Sequence, residues 1–153
     1  MNAPFTAVDH VGITVANLER AIGFWEHLLG VSARDREVLA GPRLGALLGY
    51  PAGIRIDCCW IDLPGGGALE LLHYLDRDDA PYDGGTAHPG NVHLCLGVDD
   101  MAAALARAGA AGACRVGHGP VEVPAGPRAG MLIAYVRAPD GVTLEFRQLP
   151  LRP

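Results

Sequence analysis

The sequence contains the same pattern twice, and this duplication limits the folds that are open to the chain. Residues 8–18 read VDHVGITVANL, and residues 91–100 read NVHLCLGVDD. In each stretch apolar residues alternate with others, as in a half-buried strand, and one histidine lies on the less apolar face, His10 in the first and His93 in the second. The histidines are 83 positions apart, and the valines five residues after them keep the same spacing. We interpret the two stretches as the first strands of an internal repeat.

Each of these strands leads directly into a predicted helix. Asn17 precedes apolar residues at helical spacing that end at Gly30, and Asp99 or Asp100 precedes a second such run that ends at Gly109. Asparagine and aspartate are preferred N-caps, and glycine is common just after a helix. The repeat therefore begins with strand, cap and helix in both halves.

Further strands are predicted after each helix. In the first half we expect a short strand and a loop or short helical turn within residues 31–48, and two strands at 54–63 and 68–74 around the glycine-rich turn 64–67. In the second half we expect a short strand at 114–116, a loop at 117–130, and strands at 131–136 and 142–148 around the turn 138–141.

Two modules of the order βαβββ predict an α+β domain. One face of each sheet would be buried under its helix, and the other would curve around a cavity, which makes a cupped, mixed sheet from paired modules. Module 1 is placed at about residues 6–75, a polar and turn-rich linker at 76–89, and module 2 at about 90–149, in a single domain of 153 residues.

Composition excludes several classes of function. The net charge of −5 argues against a nucleic-acid binder, which needs a basic surface, and no apolar run approaches the ~20 residues of a membrane span. The start, MNAPFT, lacks the features of a signal peptide, so we expect a cytoplasmic protein. The four cysteines form no C-x-x-C pair, and in a reducing compartment we interpret them as small buried hydrophobes.

Four residues on the less apolar faces of corresponding strands form a candidate metal site: His10, Glu70, His93 and Glu145. The glutamates are 75 positions apart, close to the spacing of the histidines. Taken singly, each is also explained as a core, rim or solvent-facing residue. Glu70 lies between leucines, however, where an unpaired buried carboxylate would be costly and a bound cation would remove the cost. Two imidazoles and two carboxylates suit one divalent ion: Zn, Ni, Fe, Mn or Co.

Several segments resemble the vicinal oxygen chelate superfamily, which contains glyoxalases, bleomycin-resistance proteins and ring-cleaving dioxygenases. They are HVGITVANLERAIGFWEHLLG, LELLHY, VHLCLGVDDM and YVRAPDGVTLEF. The resemblance covers nearly the whole chain and implies paired βαβββ modules with a divalent metal at the four positions above. The complete ligand set is similar to the branch of glyoxalase I and methylmalonyl-CoA epimerase. It further implies a homodimer that acts on a small carbonyl substrate with neighbouring oxygens.

That branch implies proton abstraction next to a carbonyl. Glu145 or Glu70 would move the proton, and Asp57 is a second candidate base, with a rim or solvent-facing position as its other interpretation. Arg147 shares a face with Glu145 and is a candidate for binding a substrate carboxylate or phosphate, or else a surface arginine. The remaining candidates for substrate contact are Cys95, Trp60, Leu72 and Tyr135.

Two other functions stay open from the sequence. One is an Fe(II) dioxygenase of the extradiol type or a metal-dependent resistance transferase, which would consume oxygen or thiol. The other is a non-catalytic protein that binds a drug or metabolite, which would bind ligand without metal.

Overall fold

A computed structural model describes residues 4–77 and 84–150. The chain divides into two compact units, Met1–Asp79 and Ala80–Pro153, called unit 1 and unit 2 below. The predicted linker at 76–89 and the chain ends therefore lie partly outside the described residues. No helix in the described part of the chain has the length and apolar character needed to cross a membrane.

Unit 1 has one mixed four-stranded sheet with two helices. Its elements in chain order are β1 (His10–Thr14), α1 (Leu18–Leu29), β2 (Arg34–Ala40), α2 (Pro42–Leu48), β3 (Arg55–Asp62) and β4 (Ala68–Tyr74). The strand order in the sheet is β1-β4-β3-β2, in which β1 runs parallel to β4 and the other neighbours are antiparallel. The expected helical turn near residues 44–48 is thus a seven-residue helix, begun by a proline whose fixed φ suits a first helical position.

Unit 2 repeats this plan without the second helix. Its elements in chain order are β5 (His93–Gly97), α3 (Met101–Ala110), β6 (Cys114–Glu122), β7 (Leu132–Arg137) and β8 (Thr143–Gln148). The sheet has the order β5-β8-β7-β6, again with the first pair parallel and the others antiparallel. The predicted α+β class and the βαβββ order of each module are confirmed.

The core of each unit lies between its sheet and its long helix. In unit 1 the fully buried face of β3 and β4 includes Ile61, Leu69 and Leu71, and α1 covers it with Leu18 and Trp25. In unit 2 the corresponding residues are Leu144 and Phe146 on β8 and Leu105 and Ala108 on α3. Burying one face under a helix leaves the other face of each sheet for the polar side chains described below.

The predicted N-caps of the long helices are confirmed in both units. The Asn17 side chain accepts a hydrogen bond of 2.9 Å from the backbone N–H of Arg20, and the Asp100 side chain accepts one of 2.9 Å from Ala103. The N-cap of α3 is therefore Asp100 rather than Asp99. α3 also continues through Gly109 to Ala110, because its backbone stays right-handed there, so the predicted stop at that glycine was wrong.

The predicted loop at 117–130 was wrong over its first part. β6 runs to Glu122, and only residues 123–131 connect it to β7. The ladder between β6 and β7 is interrupted between Val116 and Val121, and the intervening Gly117 and Gly119 have positive φ. These glycines belong to a β-bulge on an edge strand, a position that also tolerates the proline at 120.

The prediction that the cysteines are buried is confirmed for two of the four. Cys58 and Cys59 are buried, and burial raises the pKa of the Cys59 thiol to about 11. Cys95 and Cys114 are exposed, so the expectation of burial was wrong for them. Both lie on strands at the edges of the unit 2 sheet, which have a neighbour on one side only.

An ion-pair cluster ties the bulged edge of unit 1 to its helix. β2 is irregular between Arg34 and Glu37, and the Arg36 guanidinium extends from this bulge. It donates two hydrogen bonds, of 3.1 and 2.8 Å, to the Asp57 carboxylate of β3 and one to Glu19 of α1. These hydrogen bonds lower the pKa of Asp57 below its usual value, even though burial opposes the shift.

We expect Asp57→Asn to destabilise the protein by about 1 kcal/mol at pH 7 and by less near pH 2. The folded pKa of Asp57 is depressed, so the carboxylate stabilises the fold above its unfolded pKa of about 3.9 and loses this effect as the pH falls through the folded value. Urea unfolding at both pH values measures the difference. The matched control, Asp62→Asn, removes a carboxylate partner of Arg34 that is more exposed than Asp57, and it should cost less at pH 7. An equal loss for Asp57→Asn at both pH values would contradict this account.

Candidate functional site

The same strand register places a histidine beside a glutamate in both units. His10 on β1 lies opposite Ala68, and His93 on β5 lies opposite Thr143. In each case the glutamate is two residues further along the neighbouring strand, and residues two apart share a face of the sheet. The result is one histidine–glutamate pair in each unit, on the face away from the long helix.

In unit 1 the pair is partly exposed. The distance between His10 Nε2 and Glu70 Oε2 is 3.4 Å, and the other ring nitrogen, Nδ1, is 2.8 Å from Asp9 Oδ2. The imidazole also meets the ring of Trp60 edge-on, with centroids 5.0 Å apart. Asp9 and Trp60 thus fix the orientation of the ring, and a carboxylate on Nδ1 favours a free Nε2 lone pair, as in histidines that bind metals.

In unit 2 the pair is closed off from solvent on the carboxylate side. His93 Nε2 is 2.9 Å from Oε2 of Glu145, whose side chain is 1% exposed. Arg147 Nε donates a hydrogen bond of 2.6 Å to the other oxygen, Oε1. The ring of Tyr135 meets the His93 ring at 5.5 Å with an interplanar angle of 75°.

Opposing effects set the charge of Glu145. Burial alone raises the pKa of this carboxyl, but the hydrogen bond and positive charge of Arg147, together with His93, lower it further than burial raises it. The net pKa is below the ordinary value, so the carboxylate is ionised at neutral pH. Tyr135 shifts the other way, since burial and the neighbouring Glu145 charge raise the pKa of its phenol.

Within each pair, the two donor atoms are spaced as two ligands of a metal ion would be. Two atoms bound at about 2.1 Å are about 3.0 Å apart at a right angle and about 3.4 Å apart at a tetrahedral angle. The observed 2.9 and 3.4 Å match these spacings. Glu145 Oε2 supplies a second observation, because it is buried and receives no hydrogen bond of good geometry from the described residues, although His93 Nε2 is 2.9 Å away. Tyr135 and Cys95 also interact with this carboxylate, but neither side chain supplies a well-aligned donor to Oε2. An orphaned anionic oxygen beside an imidazole nitrogen fits a cation between them.

Each unit by itself contains two such donors. Within residues 4–77 and 84–150, no group of three or more His, Cys, Asp or Glu side chains is arranged to hold a metal. The four-ligand site inferred from the repeat therefore remains a prediction, and the structure describes each pair within its own unit.

An aromatic residue accompanies each pair at the same place. Trp60 is directly opposite Glu70 in the ladder, and Tyr135 is directly opposite Glu145. Each is ten residues before its glutamate in the chain. Each unit therefore carries the same set of three side chains: a histidine, a glutamate and an aromatic ring. The equal spacing of ten residues is a sequence signal that identifies Tyr135 independently.

The other predicted site residues divide between the two faces. Leu72 is on the Glu70 face, while Cys95 lies opposite Glu145 and on the same face as it. Asp57 is in register with His73, on the opposite face of the unit 1 sheet, and its carboxylate is bound by Arg36. This placement argues against Asp57 as the catalytic base.

Two residues near the pairs were not identified from the sequence. They are Asp9, which directly precedes His10, and Thr143, which is two residues before Glu145. Thr143 is buried, its Oγ1 has no hydrogen-bond partner among the described residues, and it lies opposite His93. Nothing in its sequence context marks an unsatisfied hydroxyl.

Arg147→Gln should raise the pKa of Glu145 from its lowered value. Burial raises this pKa, and the substitution removes the hydrogen bond and charge of Arg147, which are the largest of the effects that oppose burial. NMR titration of the Glu145 side-chain carboxyl measures this shift, and Arg147→Lys should restore part of it. Arg34→Gln, which removes an arginine paired with Asp35 and Asp62 in unit 1, is the control. If Glu145 titrates as in the unaltered chain after Arg147→Gln, the arginine does not set its charge.

Comparison with known proteins adds three findings. A family model described as "Glyoxalase/Bleomycin resistance protein/Dioxygenase superfamily" matches residues 9–148. A lactoylglutathione lyase of Neisseria meningitidis is 32% identical over 142 residues, which cover 91% of this chain and 88% of that protein. A 2-epi-5-epi-valiolone epimerase of an Actinomyces species is 30% identical over 146 residues, covering 94% of this chain and 80% of that protein.

A crystal structure shows the same fold. It is that of a glyoxalase family protein from Bacillus cereus, which has a TM-score of 0.80 to this chain and 21% sequence identity. The match covers 98% of this chain and 99% of that protein.

Proposed function

Because this chain belongs to the glyoxalase, bleomycin-resistance and dioxygenase superfamily, we propose that it is a metal-dependent lyase or isomerase of a small carbonyl substrate. The relatives named above are a lyase and an epimerase, which supports enzymes of this kind at the family level. The observation that carries the proposal is the buried, ionised Glu145 with an orphaned oxygen 2.9 Å from His93 Nε2. Such an arrangement is stable when a cation completes it.

The proposed ligands of one divalent ion are His10, Glu70, His93 and Glu145. Each pair offers one neutral imidazole nitrogen and one carboxylate oxygen, a donor set that suits Zn, Ni, Fe, Mn or Co. When bound, such an ion polarises a substrate carbonyl and stabilises the negative charge that develops as the neighbouring C–H bond loses its proton.

The two glutamates differ in a way that assigns them different roles. Glu145 is held by Arg147, is almost completely buried and has a lowered pKa, which makes it a fixed and weak base. Glu70 has a side chain 18% exposed, and its Oε2 lies 3.4 Å from His10 Nε2. We therefore assign proton transfer to Glu70, and the anchoring of the site to Glu145.

Three other residues have proposed roles in holding the substrate. Arg147 uses Nε for Glu145 and is 37% exposed, so its remaining N–H groups are available to a substrate carboxylate or phosphate. Trp60 and Tyr135 flank the histidines and exclude water from one side of each imidazole.

Elemental analysis of the purified protein should find one divalent metal ion per chain. Glu70→Ala and His93→Ala should each weaken metal binding by at least about tenfold in calorimetric titration, because each removes one donor. His73→Ala is the matched control, since His73 lies on the same strand as Glu70 but on the opposite face. A protein that binds no divalent metal, or variants that bind it as tightly as the control, would overturn the proposed ligand set.

Proton transfer can be followed without knowing the natural substrate. In D₂O, the metal-loaded protein should exchange the C–H proton next to the carbonyl of at least one compound from a panel of lactoylglutathione, 2-epi-5-epi-valiolone and simple 2-hydroxy ketones, detected by NMR. Glu70→Gln should reduce the exchange rate by roughly 10²–10⁴-fold while metal remains bound. Chelation should abolish exchange.

Three results would instead support the other functions inferred from the sequence. Oxygen uptake would indicate a dioxygenase, and thiol consumption a transferase. Saturable ligand binding by metal-free protein, without proton exchange, would indicate a binding protein.

A further inference from the structure

A cavity of about 390 Å³ lies in unit 2, between the bulged edge strand β6 and its neighbour β7. This volume is at the lower end of the range of small-molecule sites, about 300–1,000 Å³. Six mainly apolar side chains contribute to its wall: Val116, Val121, Val123, Pro124, Ile133 and Tyr135.

The β-bulge is what opens the cavity. Residues 117–120 leave the ladder, which is in register at Val116 opposite Tyr135 and again at Val121 opposite Ile133. An intact ladder would bring backbone to about 4.8 Å from β7 and close this space. The positive φ of Gly117 and Gly119 allows the detour at little steric cost.

The cavity adjoins the histidine–glutamate pair of unit 2 through one shared residue, Tyr135. Tyr135 belongs to both, since it lines the cavity and its ring contacts His93. Ile133 and Tyr135 are directly opposite Arg147 and Glu145 in the ladder, on the same face of the sheet. A molecule held at the pair can therefore extend past Tyr135 into the cavity.

The chemistry of the wall selects the occupant. No lysine or arginine lines the cavity, and its ionisable members besides Tyr135 are His118 and Glu122. The Arg115 guanidinium lies 4.0 Å from the position that a Cβ would take at Gly119, which places it at the margin of the cavity. Within the wall itself a phosphate, carboxylate or sulfonate would meet no lysine or arginine, whereas branched alkyl or aromatic carbon would cover valine and isoleucine methyl groups.

We propose that this cavity binds an apolar substituent, a branched alkyl group or a single aromatic ring, carried by the carbonyl substrate. The inference rests on the proposed function for the carbonyl part of the molecule. It assigns Val116, Val121 and Ile133 to specificity, and it favours substrates with an uncharged hydrocarbon group over substrates whose substituent is ionic.

Toluene tests the cavity independently of any metal. In methyl NMR spectra of the metal-free protein, toluene should shift Val116, Val121 and Ile133 and leave Val38 unchanged. Val38 is the internal control, an exposed valine on the bulged edge strand of unit 1. Val116→Phe should abolish the shift at Ile133. Val121→Phe should also abolish the shift at Ile133, and because Val121 is more exposed this substitution should not impair folding. No shift, or shifts that include Val38 equally, would overturn the proposal.

A matched pair of ligands then tests the substrate class on the metal-loaded protein. Mandelate carries a phenyl group where lactate carries a methyl group. Because the phenyl group would occupy the cavity, mandelate should bind at least about tenfold more tightly than lactate. Val121→Phe should remove this preference, and Val38→Phe should keep it. If toluene binds as expected but no metal does, the proposed function fails and the cavity assignment stands. If metal binds and the two acids bind equally, the cavity assignment is the one that fails.

Discussion

The parallel pairing of β1 with β4, and of β5 with β8, is the constraint on which the rest of each unit depends. It sets each histidine two residues from its glutamate on one face of the sheet. A shift of one residue would turn Glu70 or Glu145 into the apolar core under the helix, where its charge has no partner. The alternating leucines of β4 and the buried Leu144 and Phe146 of β8 hold this register through the hydrophobic effect. The polar face is therefore positioned by the apolar one.

The two pairs share a geometry and differ in their surroundings. In unit 1 an additional carboxylate, Asp9, is next to the histidine, and the pair remains open to water. In unit 2 an arginine binds the glutamate, which is almost fully buried. Duplication has kept the donors and the aromatic ring while changing the charge around them. This difference is the basis on which we propose that Glu145 anchors the site and Glu70 moves the proton.

Much of this was predictable because period-two patterns report which face a strand buries. The faces of β4 and β8 follow from alternation alone, which places Glu70 on the face opposite the buried Leu69 and Leu71, and Glu145 on the face opposite the buried Leu144 and Phe146. β3 offers no such contrast, since apolar residues occupy both faces, and only its register with β4 places Trp60 beside Glu70 and Asp57 behind the sheet. The bulge at residues 117–120 could not be predicted, because Gly-His-Gly-Pro has the composition of a loop. Whether such a segment rejoins its partner strand depends on tertiary pairing.

The strand order of unit 2 also bears on how a scaffold of this kind diversifies. The donors lie on β5 and β8, whereas the irregular edge is β6, three strand spacings or about 14 Å from β5. Insertions or exchanges at that margin leave the β5–β8 ladder untouched. Under the proposed function, changes in this one edge strand would alter which compounds the protein accepts and would leave the histidine–glutamate pair unchanged. In such an architecture the reaction and the substrate preference can change independently of each other.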